Sequence, residues 1–527
     1  MQTARHALGV DISTQTITVA LVRVIERDGE PDGIALEDDF RVSRPYPDEM
    51  ARKAPSVWVE IVRECVQELY ALAPETREAR GIGISTTFPG IFAINRRGDI
   101  NPDFVSLYDN TEDAGVCSGN YEQILARAEH DTLNRMWPGN MAVGLIHLVK
   151  DRKLSLKELG AVVPPNSAFA HALIKTAGCS IEPRGLFSDF TETVIGGLYD
   201  ARTASPLPEG VRALFAQLTP EIELQSLAEL LPEARSAWTN IVSRETGRAV
   251  RAFLELPALK AVSIGAGDSA LGALALRPGP DEVLNVRGSS DTPVMVVGST
   301  RRSCRAREVL LHYPMVTTSN MAEAEWCAAA PILRSGRVWD WVKRLRFPDT
   351  DPQADAELER LATAALRDRE ALRAAGRDEG IRFATALGGE RAPGWDSGAT
   401  GAITGLLESH GIGNIALAAL EGVSAALRDC IGLMEGRYGK SAARMLLAGG
   451  PARNSLWNWV TQEVSRKRTC ATAFADASAV GAALLGYASS YADEENDSRT
   501  AQRLDHASRL CSQHPLIRPA PVRPPEA

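Results

Sequence analysis

The sequence has few of the features that mark specialised classes of protein. Aromatic residues make up only 6% of its 527 residues, and nowhere do about 18 apolar residues run together, so no membrane span is predicted. The eight cysteines stand singly, without a CxxC pair or a cluster with histidine, which argues against structural zinc and a disulfide framework. The apolar stretch at the start is too short for a signal peptide. We therefore expect a cytoplasmic protein with reduced thiols.

The chain also lacks a concentration of positive charge. Its formal net charge is −9, and basic residues are interspersed with acidic ones, so neither nucleic acid nor a membrane is an expected partner. The GxxxxGK[ST] pattern is absent, and the glycines of 265–273 do not have the GxGxxG spacing of a dinucleotide site. Any ATP site in this chain must use a different cradle.

Strand and helix patterns alternate in the first part of the chain. Residues 7–24 predict strand, polar turn and strand, because apolar residues alternate after the turn. Residues 56–72 predict an amphipathic helix, and residues 81–86 another strand. This alternation favours an α/β architecture with helices covering a mixed sheet.

The later part of the chain repeats the pattern. Residues 288–298 again predict a polar turn followed by a strand, and residues 414–434 and 445–449 predict a helix and a strand. Two halves that each open in this way suggest an ancient duplication. Residues 352–380 are interpreted as a solvated helix or insertion, and the Pro-rich end predicts a disordered tail.

Residues Asp11 to Gln15 are a short polar turn between the first two expected strands. Small side chains there let backbone N–H groups and hydroxyls approach a phosphate, and a carboxylate at a strand end is suited to hydrated Mg²⁺. An ordinary hairpin with an Asx-type turn explains the same residues.

The segment GAGDSALGA (265–273) places Asp268 between Gly267 and small residues. Such neighbours permit close approach of a substrate, and the carboxylate is suited to accept a hydroxyl proton during phosphoryl transfer. The same residues fit a helix with Asp268 as its N-cap, and the two interpretations are compatible.

Two later turns are also suited to phosphate groups. VRGSSDTPV (286–294) is a second small-residue turn, and LLAGGPARNSLWNWV (446–460) has Gly449 and Gly450 between a strand and a helix N-terminus. A simple hairpin and a strand-to-helix turn without a ligand are the corresponding alternatives.

The order of these segments resembles the FGGY family of carbohydrate kinases, from about residue 7 to residue 488. GGERAPGWDSGATGAITGL (388–406) is similar to the family's GER-P…ARG…GL segment, ALEGVSAALRD (419–429) to its EGV helix, and DASAVGAALLG (476–486) to its late Gly-Ala-Ala helix. STQ at 13–15 and S-D-T at 290–292 look most like xylulose kinases, whereas GGERAP is also similar to gluconate kinases.

The resemblance implies an α/β fold of two actin-like (ribonuclease H-like) domains, with mixed sheets flanked by helices, around a central cleft. The expected domains are 1–276 for acceptor binding and the catalytic base and 277–490 for ATP, followed by a partly disordered tail at 491–527. The implied reaction transfers the γ-phosphoryl group of ATP, with Mg²⁺, to a hydroxyl of a sugar, ketose, sugar acid or polyol. A xylulose-like acceptor is the first guess, and a homodimer is allowed.

Carried across by position, the resemblance assigns individual roles. Asp268 would be the catalytic base, and Asp11 would lie near Mg²⁺. The expected nucleotide-binding residues are Ser13, Thr14, Gln15, Gly288, Ser289, Ser290, Gly401, Gly405, Gly449, Gly450 and Asn454. The expected acceptor-binding residues are Thr87, Phe88, Pro89, Asp109 and Ser269.

The acceptor side departs from the family's pattern. Phe88-Pro89-Gly90 stands where sugar kinases of the family usually have Met-His-Gly, and residues 107–111 stand where they have W-D-R. Loss of an imidazole and a guanidinium removes directed hydrogen bonds to substrate oxygens. The alternative function is therefore an ATP-binding relative without phosphotransfer that acts as a regulator or interaction protein. Ser13, in place of the usual phosphate-turn glycine, also favours this alternative.

Overall fold

The structure is a computed structural model that describes residues 2–37, 39–110, 112–117, 122–299, 309–348, 350–374, 380–474 and 476–525. Thr111, in the segment compared with W-D-R, and 375–379, in the expected insertion, lie outside the described residues.

Strands and helices alternate along the described chain. The strands are β1 (Gln2–Ile12), β2 (Thr16–Arg27), β3 (Glu30–Ala35), β4 (Arg41–Pro45), β5 (Ala79–Thr86), β6 (Gly90–Asn95), β7 (Ile100–Leu107), β8 (Leu159–Val163), β9 (Phe187–Asp189), β10 (Glu233–Arg235), β11 (Ala261–Val262), β12 (Ala266–Gly267), β13 (Glu282–Arg287), β14 (Asp291–Gly298), β15 (Leu311–Pro314), β16 (Trp326–Ala329), β17 (Arg382–Ala384), β18 (Ala402–Thr404), β19 (Arg444–Ala448), β20 (Arg468–Ala471) and β21 (Ala520–Pro521).

The helices are α1 (Pro55–Leu72), α2 (Ala114–Cys117), α3 (Glu122–Thr132), α4 (Met141–Lys150), α5 (Pro165–Thr176), α6 (Phe190–Ile195), α7 (Glu209–Leu218), α8 (Leu224–Leu230), α9 (Arg244–Leu254), α10 (Asp268–Leu276), α11 (Gly336–Arg344), α12 (Ala354–Ala374), α13 (Ile412–Tyr438), α14 (Ser455–Ser465), α15 (Ala477–Ser489) and α16 (Asp497–Ser512).

The chain folds into two compact units. Unit one comprises Met1–Arg277, Val297–Cys327 and Asp476–Ile517, and unit two comprises Pro278–Val296, Ala328–Ala475 and Arg518–Ala527. The first boundary falls one residue from the expected one. The expectation of one continuous segment per domain does not describe the structure, because α15 and α16 return to unit one.

The main sheet of unit one is mixed. β1 is parallel to β5 and antiparallel to β2, which continues to β3, and β4 pairs with β2. The short strands β11 and β12 both run parallel to β5. Because parallel strands end at the same edge, the carboxyl ends of β1, β5 and β12 bring Asp11, Thr86 and Asp268 to one side of the unit.

Helix α15 lies directly on β1 and β5. The approach is so close that a Cβ atom on Gly9 would lie 1.7 Å from the carbonyl oxygen of Ala479, so glycine is required there. All thirteen residues of this helix are buried. The Gly-Ala-Ala pattern therefore describes close packing on the unit-one sheet.

Within the expected tail at 491–527, the structure describes residues 491–525, which include a helix. Helix α16 is capped by Asn496, whose side chain accepts the N–H of Arg499, and the helix buries Leu504 and Cys511. Tyr491 donates a 2.6 Å hydrogen bond to the buried carboxyl of Glu26. In the Pro-rich end itself, β21 pairs with β20 in unit two.

Unit two repeats the arrangement of strands. β13 is antiparallel to β14 and parallel to β19, which is parallel to β20. Helix α13 packs against α11, α12 and α14. Because α12 buries Leu358 and Ala362 in this helical layer, the described part of the expected insertion is a core helix with one solvated face. Hairpins with parallel neighbours thus occur in both units.

In the part of the chain that the structure describes, no helix combines the length and the apolar character needed to cross a bilayer.

Candidate functional site

Asp11 occupies the carboxyl end of β1 in unit one. Its carboxylate accepts a 2.5 Å hydrogen bond from the Ser85 hydroxyl on the neighbouring parallel strand. Burial raises the pKa of Asp11 to about 7, with the nearby carboxylates of Asp268 and Asp476 adding to the effect and the Ser85 bond opposing it. Asp11 is thus a nearly enclosed carboxyl beside two other acidic groups.

The turn that follows Asp11 has its hydroxyls engaged. The Ser13 side chain donates to the carbonyl of Thr16 at 2.9 Å, and the Thr14 hydroxyl lies 2.9 Å from that of Tyr108. Gln15, by contrast, is exposed. The hydrogen bonds of Ser13 and Thr14 therefore hold the backbone of this hairpin turn in one conformation.

Asp268 is the first residue of α10. The N-cap of α10 is Gly267, so the interpretation of Asp268 as the cap is wrong. The carboxylate of Asp268 instead accepts the N–H of the adjacent Ser269 at 2.6 Å. Asp268 is half-buried, and burial raises its pKa to about 6, against the Ser269 bond. A half-buried carboxyl with few donors is suited to receive a proton near neutral pH.

The Phe88 ring lies against the backbone that precedes Asp268. A Cβ atom on Gly267 would lie 2.2 Å from the ring, so only glycine leaves room for it. Phe88 also contacts Tyr313 edge-on, with ring centroids 5.8 Å apart, and the Tyr313 hydroxyl lies 3.3 Å from that of Ser269. Phe88 and Ser269 are thus brought together around Asp268, and the Phe88-Pro89 peptide bond is cis.

Thr87 lies between these groups and the end of β1. Its backbone N–H donates to the carbonyl of Ile12 at 3.0 Å, next to Asp11. This bond extends the β1–β5 ladder by one residue. Thr87 therefore belongs to the same edge of the sheet as Asp11.

Asp109 is part of an ion pair that the sequence did not predict. Arg52 donates to its carboxylate at 3.0 Å, and each side chain is only 12% exposed. Burial acts to lower the pKa of Arg52, but Asp109 and Glu49 outweigh it and hold the pKa above its ordinary value. A guanidinium is therefore present beside Asp109 despite the departure from W-D-R, because it comes from a distant segment of the chain.

Two buried carboxyls were missed from the sequence. Asp189 is the N-cap of α6 and accepts from the backbone of Thr191 at 2.7 Å and from Asn166 at 3.1 Å. Glu192 is fully buried in the same helix and accepts from the Thr86 hydroxyl at 3.2 Å. We call Asp11, Asp189, Glu192 and Asp268 the carboxyl cluster. The sequence signal for this cluster is the position of Asp189 at the end of a short strand, and acidic residues at strand ends are too common to identify a site.

In unit two, residues 288–290 form the turn between β13 and β14. The N–H of Gly288 donates to the carbonyl of Ser290 at 2.8 Å, and the carbonyl of Ser289 accepts from the N–H of Ser335 at 3.1 Å. All three turn residues are half-buried. Neighbouring backbone thus fixes this turn from both sides.

A buried arginine, Arg287, directly precedes the 288–290 turn and was not predicted from the sequence. Arg287 is 2% exposed and donates to the side chains of Asn458, at 3.0 Å, and Thr461. Its guanidinium lies 5.1 Å from the ring centroid of Trp457, and its Nε lies 3.6 Å from the carboxylate of Asp291. Arg287 therefore links the 288–290 turn to helix α14.

Gly449 and Asn454 meet the same group of residues. Gly449 has φ +95°, and a Cβ atom there would lie 1.9 Å from the carbonyl oxygen of Arg287. Asn454 caps α14 by accepting the N–H of Trp457 at 2.7 Å. Gly450, by contrast, has open space around it. The structure thus gathers the 288–290 turn, Gly449 and the α14 N-terminus around Arg287.

Gly401 and Gly405 lie elsewhere in unit two. They flank β18, which pairs only with β17 in a separate two-stranded sheet. Gly405 has φ +77°, and a Cβ atom there would lie 2.6 Å from the carbonyl of Gly380. Their local role is thus the shape of this small hairpin.

The donor set suits a metal held partly by a substrate. Within the described ranges, no group of three or more His, Cys, Asp or Glu side chains is arranged to hold a metal ion. Mg²⁺ is commonly bound by one or two carboxylates together with substrate phosphates. Asp11 fits that mode, because its carboxyl lies near the end of β1, just before the short polar turn at 13–15.

Comparisons with known proteins concern the sequence and the fold. Residues 286–490 match the model of the FGGY family of carbohydrate kinases, C-terminal domain. The chain is similar to a gluconokinase of Bacillus licheniformis, at 28% identity over 32% of each chain, and to a xylulose kinase of Escherichia coli (strain K12), at 22% identity over 87% of this chain and 84% of the other. The match thus spans about a third of the gluconokinase.

The solved gluconate kinase from Lactobacillus acidophilus has a TM-score of 0.68, at 17% identity, with 98% of this chain and 97% of the other covered. The fold places the chain among proteins built from two actin-like units. Within that class, residues 286–490 are similar to the C-terminal domain of the FGGY family of carbohydrate kinases, and the chain is similar over most of its length to a xylulose kinase.

Proposed function

We propose that the protein is an ATP-dependent kinase that phosphorylates a hydroxyl of a carbohydrate or polyol, with Asp268 as the base. The observation that carries the proposal is the environment of Asp268: it is half-buried at the start of α10, and the Ser269 N–H donates to its carboxylate. Burial raises the pKa of Asp268 to about 6. A base with a pKa near the working pH is ionised before the reaction and can still hold the proton afterwards.

The proposed step balances without a further reactant. The acceptor oxygen bonds to the γ-phosphorus of ATP, the bond from that phosphorus to the β-γ bridging oxygen breaks, and ADP leaves. The proton of the acceptor hydroxyl passes to Asp268 and then to water. Because charge spreads over the phosphoryl oxygens, positioning and electrostatic stabilisation supply most of the catalysis.

The nucleotide would be held by groups that unit two keeps fixed. Phosphate oxygens would lie against the small polar turn at 288–290, whose Gly288 N–H already donates to the carbonyl of Ser290. At the α14 N-terminus, Leu456 and Trp457 already donate their N–H groups to Glu359 and Asn454. Gly449 lets the chain pass within contact distance of Arg287. Asp11 would hold Mg²⁺, which supplies positive charge for the phosphates when it is bound.

An uncharged acceptor fits unit one better than a sugar acid. The carboxyl cluster surrounds the base with negative or protonated groups, and a further carboxylate there would be repelled. The nearby guanidinium of Arg52 already pairs with Asp109 and Glu49. Arg41 pairs with Asp476 in the same way. We therefore propose a ketose or polyol as the acceptor class.

Matched acceptors test this proposal. ADP release is measured with ATP, Mg²⁺ and pairs that differ in one group, such as xylitol with xylonate and glucitol with gluconate, together with ketoses. We expect kcat/KM to be at least about tenfold higher for the uncharged member of each pair.

A preference for the acid member would refute the acceptor class but leave the kinase in place. Nucleotide binding without ADP release on any acceptor would favour the alternative, an ATP-binding regulator. A reaction without acceptor measures background hydrolysis and is subtracted.

A further inference from the structure

Glu192 is the most enclosed member of the carboxyl cluster. Its side chain is 0% exposed, and α6, the helix that carries it, packs against β12 and β15. β12 leads directly into Asp268, and β15 carries Tyr313. Glu192 thus lies behind the proposed base, out of reach of an acceptor in this structure.

The two carboxyl oxygens of Glu192 have different surroundings. Oε1 accepts the Thr86 hydroxyl at 3.2 Å, whereas Oε2 is buried and has no hydrogen-bond partner among the described residues. A buried carboxylate with an unpartnered oxygen loses hydration without compensation, so the protonated acid is favoured. Burial, followed by the charges of Asp189 and Asp268, raises the pKa of Glu192 well above its ordinary value.

The other charged and titratable groups on the neighbouring elements do not reverse this preference. Glu233 and Arg235 on β10 pair with each other at 3.0 Å, and both are substantially exposed. On β15, Tyr313 has a pKa raised well above its ordinary value by burial, and His312 has its ring Nδ1 3.1 Å from the carbonyl oxygen of Leu133. Within the described ranges, no cation forms an ion pair with Glu192.

Thr86 connects Glu192 to the base through the sheet. It is the last residue of β5, it is fully buried, and it pairs with Gly267 on β12. Its hydrogen bond to Glu192 therefore fixes the end of β5 beside the strand that positions Asp268. Ser85, one residue earlier, donates to Asp11. The end of β5 therefore donates hydrogen bonds to both Asp11 and Glu192.

We propose that Glu192, as an uncharged carboxylic acid, is a positioning residue that anchors the end of β5 and thereby orients Asp268. This inference rests on the proposed function. An uncharged group suits the place, because a second negative charge behind Asp268 would stabilise its protonated form and weaken it as a proton acceptor at neutral pH.

Three variants separate position from charge. Glu192→Gln keeps an acceptor oxygen and no charge, so we expect kcat and both KM values within about threefold of wild type. Glu192→Ala removes the anchor, so kcat should fall at least about tenfold while the KM for ATP changes little. The control, Thr193→Ala, removes a buried hydroxyl from the same helix, which bonds only the carbonyl of Phe190. It should match the thermal destabilisation without the loss of kcat.

Thr86→Val tests the same hydrogen bond from the other side. It should lower kcat as Glu192→Ala does, and the double variant should be no worse than either single one, because both remove one interaction. Equal kcat for Glu192→Ala and Thr193→Ala would overturn the inference. So would a Glu192→Gln variant as slow as Glu192→Ala, because charge would then be required.

Infrared difference spectra give a readout that needs no turnover. The wild-type protein minus Glu192→Gln should show, at pH 7, the carbonyl band of a protonated carboxylic acid. A carboxylate band alone would refute the uncharged state. If no acceptor is phosphorylated by wild type, the proposed function fails, and the positioning role fails with it, whereas the spectra still decide the protonation of Glu192.

Discussion

The two units build their sites from opposite materials. In unit one, side-chain carboxyls collect at the edge of a sheet, and single hydroxyls and backbone N–H groups hold them, as Ser85 holds Asp11. In unit two, backbone turns are gathered around one buried cation, Arg287. The difference teaches that the proposed proton chemistry rests on desolvated acids, whereas the proposed phosphate binding rests on fixed backbone.

The sharpest test of the unit-one site is removal of the base. Asp268→Asn keeps the size of the side chain but cannot take a proton, so kcat should fall about 10²–10⁴-fold with little change in ATP affinity. The measurement is ADP release, with nucleotide affinity from calorimetry. Asp103→Asn, at an exposed position, serves as the control. Turnover near wild type would sink the assignment of the base.

The corresponding test of unit two is removal of the buried cation. Arg287→Met leaves the carboxylate of Asp291 without its charged neighbour, and loss of one partner of a buried pair costs about 3–5 kcal/mol. We expect a lower Tm and weaker ATP binding. The double variant Arg287→Met/Asp291→Asn should recover part of the Tm. Unchanged Tm and ATP affinity in the single variant would show that the turn does not depend on Arg287.

A smaller effect should separate the two adjacent glycines of unit two. Gly449→Ala places a Cβ where φ is +95° and the carbonyl of Arg287 is 1.9 Å away, so the free energy of unfolding should drop by at least about 2 kcal/mol. Gly450→Ala meets open space and should stay within about 0.5 kcal/mol of wild type. Chemical unfolding measures both, and equal losses would contradict the close approach at Gly449.

The mildest perturbation is pH, which should act mainly through unit one. The pKa of Asp268 is raised by burial to about 6, and the base must be ionised to accept a proton. kcat/KM should therefore fall about tenfold per pH unit below that pKa. The assay is run at saturating Mg²⁺, which favours the ionised form of Asp11, because burial raises the pKa of Asp11 to about 7. A profile without this acidic limb, between pH 5 and 8, would argue against Asp268. Nucleotide binding to Asp268→Asn over the same range controls for unfolding.

Much of the local structure was predictable because short motifs impose it. The hairpin after Asp11, the amphipathic helix near residues 56–72 and the strand before Gly449 all occur where the patterns place them. Gly267 and Asp268 also stand together at a helix start, although the cap is the glycine. The assignments of ligands to the turns remain predictions.

The partners of these motifs were not predictable, because they come from distant parts of the chain. Arg52 reaches Asp109 across 57 residues, and Glu192 reaches Thr86 across 106. The hydrogen bond from Tyr491 to Glu26 likewise joins residues that are 465 positions apart in the chain. Composition describes average behaviour, whereas these pairs depend on single contacts.

The sequence by itself determined the resemblance to a kinase family, the α/β fold class and the carboxylate proposed as base, because glycine-flanked turns and strand patterns act locally. Only the tertiary structure decided the environment of that carboxylate. It showed how deeply the carboxyl cluster is buried, which cation neutralises Asp109, and that Arg287 underlies the 288–290 turn. Burial and charge depend on distances between residues far apart in the chain, and folding alone sets those distances.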